Sequence, residues 1–202
     1  ENFAQCLQRQ RDAWLVAPNA SCAERIADLR ALLRLIVENR DALAEAISLD
    51  YGGRSRFETT FGEVFVVQEG VLHAIRHVRR WMKPQRRRLD PTQYPFARAY
   101  VVPQPIGVVG VVVPWNFPVS AAFAPLTGIF AAGNRAMVKM SENSRHVARL
   151  LAQIAPCYFP EDKLRFFDDP GGHGPEFTAL PFDHLFFTGS PQTGRAVMAN
   201  AA

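Results

Sequence analysis

The chain has 202 residues, 48% of them hydrophobic and 21% charged, a globular balance that supports one sizeable core or one domain with a smaller appendage. No window reaches the roughly 18 consecutive apolar residues of a membrane span, and the opening ENFAQCLQRQ lacks the basic-then-apolar pattern of a signal peptide. The net charge of +4 favours anions in general without implying nucleic acid, and three widely spaced cysteines (Cys6, Cys22, Cys157) without a CxxC pair read as reduced thiols in a cytoplasmic protein.

SCAE at 21–24 has the form of a capping box, and Ile26, Leu29, Leu33, Ile36, Leu43 and Ile47 keep helical spacing after it, which predicts a helix over about 22 to 48. DYGG at 50–53 breaks it. A second capping box, SRFE at 55–58, opens a long amphipathic helix marked by Phe61, Val64, Phe65, Leu72, Ile75 and Val78, and Pro84 ends it. Residues 85 to 105 turn basic, proline-rich and alternating, as an extended connector with one or two edge strands around 97 to 102 would.

From residue 106 the pattern becomes strand, helix, strand, helix. Strands are expected over 106–113, 136–140, 163–167 and 184–188, with helices over about 119–132, 144–154 and 193–202. Such alternation defines an α/β fold with a doubly wound parallel sheet. The expected division is a helical segment at 1–84, the connector at 85–105 and a Rossmann-like sheet at 106–202.

Ligands of open parallel sheets bind at the carboxyl ends of the strands, and the unusual residues stand there. Asn116 follows the first strand in VVVPWNFP; Lys139 and Glu142 close the second. Asp168 and Asp169 lead a loop with Gly171, Gly172 and Gly174 after the third, a path past a cofactor base or a plain flexible turn. GSPQTG at 189–194 lets backbone and the helix N-terminus approach a phosphate, with the Ser190 hydroxyl adding a contact; an ordinary strand-to-helix turn is the plainer reading. Lys139 either snorkels to solvent or reaches a ligand, and Glu142 either accepts from ribose hydroxyls or serves the helix dipole. Asn116 does not titrate; it is a turn residue or an amide donor to a developing oxyanion.

His73 and His77 at i and i+4 have no evident third ligand and no HExxH context, so no metal is expected. The basic run Arg76, Arg79, Arg80, Lys83, Arg86, Arg87, Arg88 around Trp81 reads as a solvated helix end rather than a nucleic-acid surface.

Three stretches, QPIGVVGVVVPWNFP (104–118), GNRAMVKMSENS (133–144) and LPFDHLFFTGSPQTGRAVM (180–198), resemble the aldehyde dehydrogenase superfamily in order and spacing, and DYGGRSRFET with IRHVRRWMKPQRR resembles its coniferyl-aldehyde branch. The resemblance covers the whole chain but only the first part of such an enzyme. It implies that Asn116 is the oxyanion asparagine, that Lys139 and Glu142 contact the adenosine ribose, that Gly189 and Ser190 form the pyrophosphate turn, that Trp115 packs against the cofactor, that Phe117 and the following helix line the aldehyde tunnel, and that residues 85–105 serve a homodimer or higher homo-oligomer. KMSE stands where the family reads KPSE, which leaves Lys139 and Glu142 in place.

The same resemblance implies oxidation of an aldehyde to its acid through a cysteine thiohemiacetal. Glu142 repels a 2′-phosphate and so favours NAD over NADP. The nucleophilic cysteine and general-base glutamate are expected in segments following Ala202, and none of the three cysteines has the family's catalytic context. The chain alone is therefore expected to be inactive. The other readings are a nucleotide-binding module without turnover and a nucleic-acid-binding protein.

Overall fold

The computed structural model describes residues 2–168 and 171–202; Glu1, Asp169 and Pro170 lie outside the described residues, and with Asp169 goes part of the loop expected after the third strand. The first helix, α1 (Phe3–Val16), falls where the sequence reading placed no element. It starts with a capping box built on Asn2 and Gln5, whose side chains each accept from the other's backbone N–H at 2.8 and 3.1 Å. It buries Cys6, Leu7 and Gln10.

α2 (Cys22–Glu38) begins with the expected reciprocal bonds of Ser21 and Glu24. The single helix over 22–48 is two, since α3 (Arg40–Tyr51) starts afresh after Asn39. Asn39 leaves the helical region (φ −112°, ψ 14°), and its amide donates to the Leu35 carbonyl at 2.8 Å and the Tyr158 hydroxyl at 3.0 Å. The apolar spacing runs on across that break, so periodicity alone does not reveal it.

The second long helix is also composite. α4 (Arg56–Thr59) passes through a π-helical turn, Thr60–Phe65, into α5 (Val66–Trp81). Ser55 makes no capping bond; Glu58 instead pairs with Arg54 at 3.3 Å. The wider turn shifts the phase of the buried stripe. Val64, Val67, Val71, Ala74 and Val78 face the core, whereas Phe61 and Phe65, expected there, stand 61% and 48% exposed. The connector holds β1 (Gln85–Arg87) antiparallel to β2 (Ala99–Val101).

The four-stranded sheet is wholly parallel: β3 (Val108–Val112), β4 (Arg135–Lys139), β5 (Leu164–Phe167) and β6 (His184–Phe187), in the spatial order β5-β4-β3-β6. α6 (Pro118–Ala131), α7 (Arg145–Ile154), α8 (Gly174–Thr178) and α9 (Pro191–Ala201) connect and follow the strands; α8 occupies part of the stretch expected to be loop.

The alternation of side chains divides the sheet between two apolar layers. Val109, Val111, Ala136, Val138, Leu164 and Phe166 join the main core with α2, α3, α5, α6 and α7. Val108, Met137 and Phe177 join Cys6 and Leu7 of α1 on the other face. Gln10, fully buried, fastens α1 to the sheet by donating to the carbonyls of Ala136 and Glu161, both at 3.1 Å. Among the described strands β6 has one neighbour, and its Phe186 is 40% exposed.

The entry to β3 is tightly specified. Asn134 Oδ1 accepts from the amides of Ile106 and Gly107 at 2.7 and 3.1 Å, and Asp183 Oδ2 accepts from Val108 at 2.7 Å. Gly107 has φ +132°, and a Cβ there would stand 2.2 Å from Asp183 Oδ2. Gly107→Ala is therefore expected to lose about 2 kcal/mol or more of unfolding free energy, from backbone strain and loss of the Asp183 bond together. Urea unfolding checks it; an unchanged midpoint would show that the strand entry relaxes freely.

Candidate functional site

The strand order reverses between β3 and β6: β4 and β5 lie to one side of β3, and β6 to the other. In an open α/β sheet this is where a crevice opens beyond the strand ends. A cavity of about 510 Å³ lies there, bounded by the ends of β3, β4 and β6, the residues after them, and α8 and α9. Trp115, Lys139, Glu142, Gly172, Gly189 and Ser190, all singled out from the sequence, line it. Thr178, Thr193 and Asn200 also line it and were not foreseen. Asn200 Nδ2 donates to Thr178 Oγ1 at 3.1 Å, which ties α9 to α8 within the cavity lining.

Each wall follows from local structure. Lys139 is the last residue of β4 and only 4% exposed, with Nζ 3.4 Å from the Met140 carbonyl. Ser190 caps α9, its Oγ accepting from the Thr193 amide at 3.2 Å, and Pro191 at the first helical position forfeits no helical hydrogen bond. A Cβ at Gly189 would stand 2.4 Å from the Phe187 ring, so this turn accepts only glycine without displacing the ring. The result is a helix N-terminus with two hydroxyls and a recessed ammonium around one space, a donor set suited to a dinucleotide's phosphates and ribose hydroxyls. Glu142 is exposed at the rim.

Asn116 lies outside the residues lining this cavity, next to Trp115 in the loop between β3 and α6. It is exposed, and among the described residues nothing hydrogen-bonds its side-chain amide. Its backbone is held firmly. The Tyr51 hydroxyl donates to the carbonyls of Trp115, at 2.8 Å, and of Asn116. Arg54 Nη1 donates to the Asn116 carbonyl at 3.1 Å and to Glu63 Oε1 at 2.9 Å. Glu63 Oε2 accepts from the amides of Val119 and Ser120 at 2.7 and 2.9 Å, capping α6. Asp50 caps α7 in the same manner, accepting from His146 and Val147 at 2.9 and 3.0 Å.

Sequence reasoning took DYGG as a helix break and Glu58 as a cap, and so missed Asp50, Tyr51, Arg54 and Glu63. The available signal was Glu63 itself, a carboxylate beside the buried Val64 and Val67. The cysteines lie away from the cavity: Cys6 is buried on the inner face of α1, Cys22 opens α2 and Cys157 is exposed. Among the described residues no group of three His, Cys, Asp or Glu side chains could hold a metal; His73 and His77 stack on each other, centroids 4.0 Å apart, and His77 on Trp81.

Fold and cavity define a Rossmann-like α/β protein with a ligand crevice at its switch point. The chain matches the aldehyde dehydrogenase family over residues 1–202 and belongs to that family. It is 44% identical over 194 residues to a probable coniferyl aldehyde dehydrogenase of Pseudomonas aeruginosa, covering 96% of this chain and 40% of that protein. It is 40% identical to the coniferyl aldehyde dehydrogenase of Pseudomonas sp. strain HR199, covering all of this chain and 41% of that one. The solved structure of Staphylococcus aureus AldH in a substrate-bound state superposes with a TM-score of 0.92 at 25% identity, covering all of this chain and 43% of its own. The chain thus spans about two fifths of the length of these relatives.

Burial pushes the Glu63 carboxyl above its ordinary range, against the donors from Ser120, Arg54 and Val119 that favour the charged form. A raised folded-state pKa means that Glu63 holds its proton more tightly folded than unfolded. Its contribution to stability is then fully present below the ordinary glutamate range and is lost as pH rises through the raised value. The stability of the wild type relative to Glu63→Gln should accordingly decline with rising pH across that window. Urea unfolding of both proteins at a series of pH values measures it; a constant difference would show that the pKa is unshifted.

Proposed function

We propose that the protein carrying this chain is a cytoplasmic, nicotinamide-dependent dehydrogenase that oxidises an aldehyde to its acid through a cysteine thiohemiacetal, with an aromatic aldehyde of the coniferyl type as substrate. The carrying observation is that six residues chosen from sequence, spread from position 115 to 190, converge on one cavity at the switch point. The two Pseudomonas relatives support the substrate class.

In this reading Ser190, Gly189 and the first turn of α9 hold the pyrophosphate. Lys139 and Glu142 take the adenosine ribose hydroxyls, Trp115 forms a wall, and the backbone at Gly172 passes the base. NAD, when bound, supplies the hydride acceptor. Asn116 donates from its side-chain amide to the aldehyde oxygen as negative charge develops there, which lowers the barrier without any proton transfer. The thiol and the general base are supplied from outside this chain. The exposed Phe96, Tyr100, Val101 and Val102 of the connector support a role for residues 85–105 in a homo-oligomer.

The test is turnover by the intact gene product with NAD and a panel of aldehydes including coniferyl aldehyde. Asn116→Ala is expected to lower kcat about a hundredfold or more while leaving the KM for NAD within a fewfold. An unchanged kcat would sink the assigned role. NAD should outperform NADP in kcat/KM, and Glu142→Gln should narrow the gap, because it removes the charge that opposes a 2′-phosphate. A clear preference of the wild type for NADP would overturn this choice.

A further inference from the structure

The clamp on the 115–116 backbone joins the segment after α3 to the loop between β3 and α6. The Trp115 and Asn116 carbonyls belong to neither β3 nor α6, so ordering that loop needs donors from elsewhere. Tyr51 and Arg54 provide them from a segment more than sixty residues earlier. The Arg54 side chain is only 5% exposed, and its guanidinium lies over the rings of Tyr51 and Phe117, with centroids 5.0 and 4.7 Å away. Phe117 is the residue after Asn116, so the same guanidinium grips the loop at its carbonyl and at a neighbouring ring. Glu63, with a fully buried side chain, neutralises Arg54 through one oxygen and fixes the start of α6 through the other.

The asparagine is thereby pinned at its own carbonyl and again three residues on, while its side-chain amide has no partner among the described residues. A donor aimed at a developing charge needs this arrangement: a fixed backbone with a side chain uncommitted to the protein. We propose that Tyr51 and Arg54, anchored by Glu63, are positioning residues that set the pose of the Asn116 amide. This rests on the reading of Asn116 as the oxyanion donor.

A double-mutant cycle in the intact gene product separates the clamp from a merely structural role. Tyr51→Phe removes one hydroxyl and keeps the ring. Arg54→Lys keeps the charge but loses the planar guanidinium that lies over the Tyr51 and Phe117 rings while its Nη1 bridges Glu63 to the loop. Each is expected to lower kcat about tenfold or more, with the KM for NAD little changed, because a displaced donor weakens the transition state and spares cofactor binding. In the Asn116→Ala background the same changes should have almost no further effect. Independently of turnover, Tyr51→Phe should speed amide hydrogen exchange in the 115–121 segment and leave β4 and β5 unchanged.

Additive losses in the cycle would mean that Tyr51 and Arg54 act on the fold in general and would overturn the proposal. So would full activity of Tyr51→Phe and Arg54→Lys beside a crippled Asn116→Ala. If Asn116→Ala itself keeps full kcat, the oxyanion reading fails, and the clamp's role falls with it by a distinguishable route.

Discussion

A carboxylate without solvent sits at the centre of this molecule's organisation. Glu63 accepts from two helix-start amides and one guanidinium, and its side chain is fully buried. Burying a charge costs several kcal/mol unless hydrogen bonds return it, and removing one member of such a pair leaves the other stranded at about 3–5 kcal/mol. The three elements that meet there, the turn after α3, the π-turn before α5 and the start of α6, therefore stand or fall together. The loop carrying Trp115 and Asn116 takes its shape from that meeting.

The same segment governs the second side of the cavity. Asp50, with 3% of its side chain exposed, caps α7 and so fixes the chain just after Lys139 and Glu142. Within fourteen positions, 50 to 63, the N-terminal helices supply the polar anchors for two of the βα loops that form the site. The helices share one core with the sheet, in which Leu29, Leu32, Val67 and Val71 belong to the same apolar cluster as Phe123, Val109 and Val111. Apolar packing places the two regions face to face, and the polar anchors decide which loop conformation results.

What was legible in the sequence was periodic or local. The strands and helices after residue 106 show in apolar runs and in GSPQTG-type turns, because their burial and backbone needs are written into adjacent residues. The crevice was legible too, since strand-end residues converge whenever the strands are parallel. The break at Asn39 was hidden because the apolar stripe continues through it. The phase of Phe61 and Phe65 was misread because a π-turn leaves no periodic mark. α1 was missed for want of a familiar cap, although Asn2 and Gln5 form one. Tyr51 and Arg54 were beyond reach because their partners lie 62 to 65 residues away and are carbonyls, which every residue possesses.

The π-turn at Thr60–Phe65 has a consequence for how the gene can vary. It is one residue wider than the helix it interrupts, and an α-helix advances roughly 100° per residue. Losing a single codon there would restore regular winding and swing Glu63 round the axis relative to α5, away from Arg54 and α6. Gaining one would do the reverse. Point changes on its outer surface, at Phe61 or Phe65, leave the winding intact. The segment thus acts as a fixed-length gauge, open to spelling changes and closed to insertions and deletions.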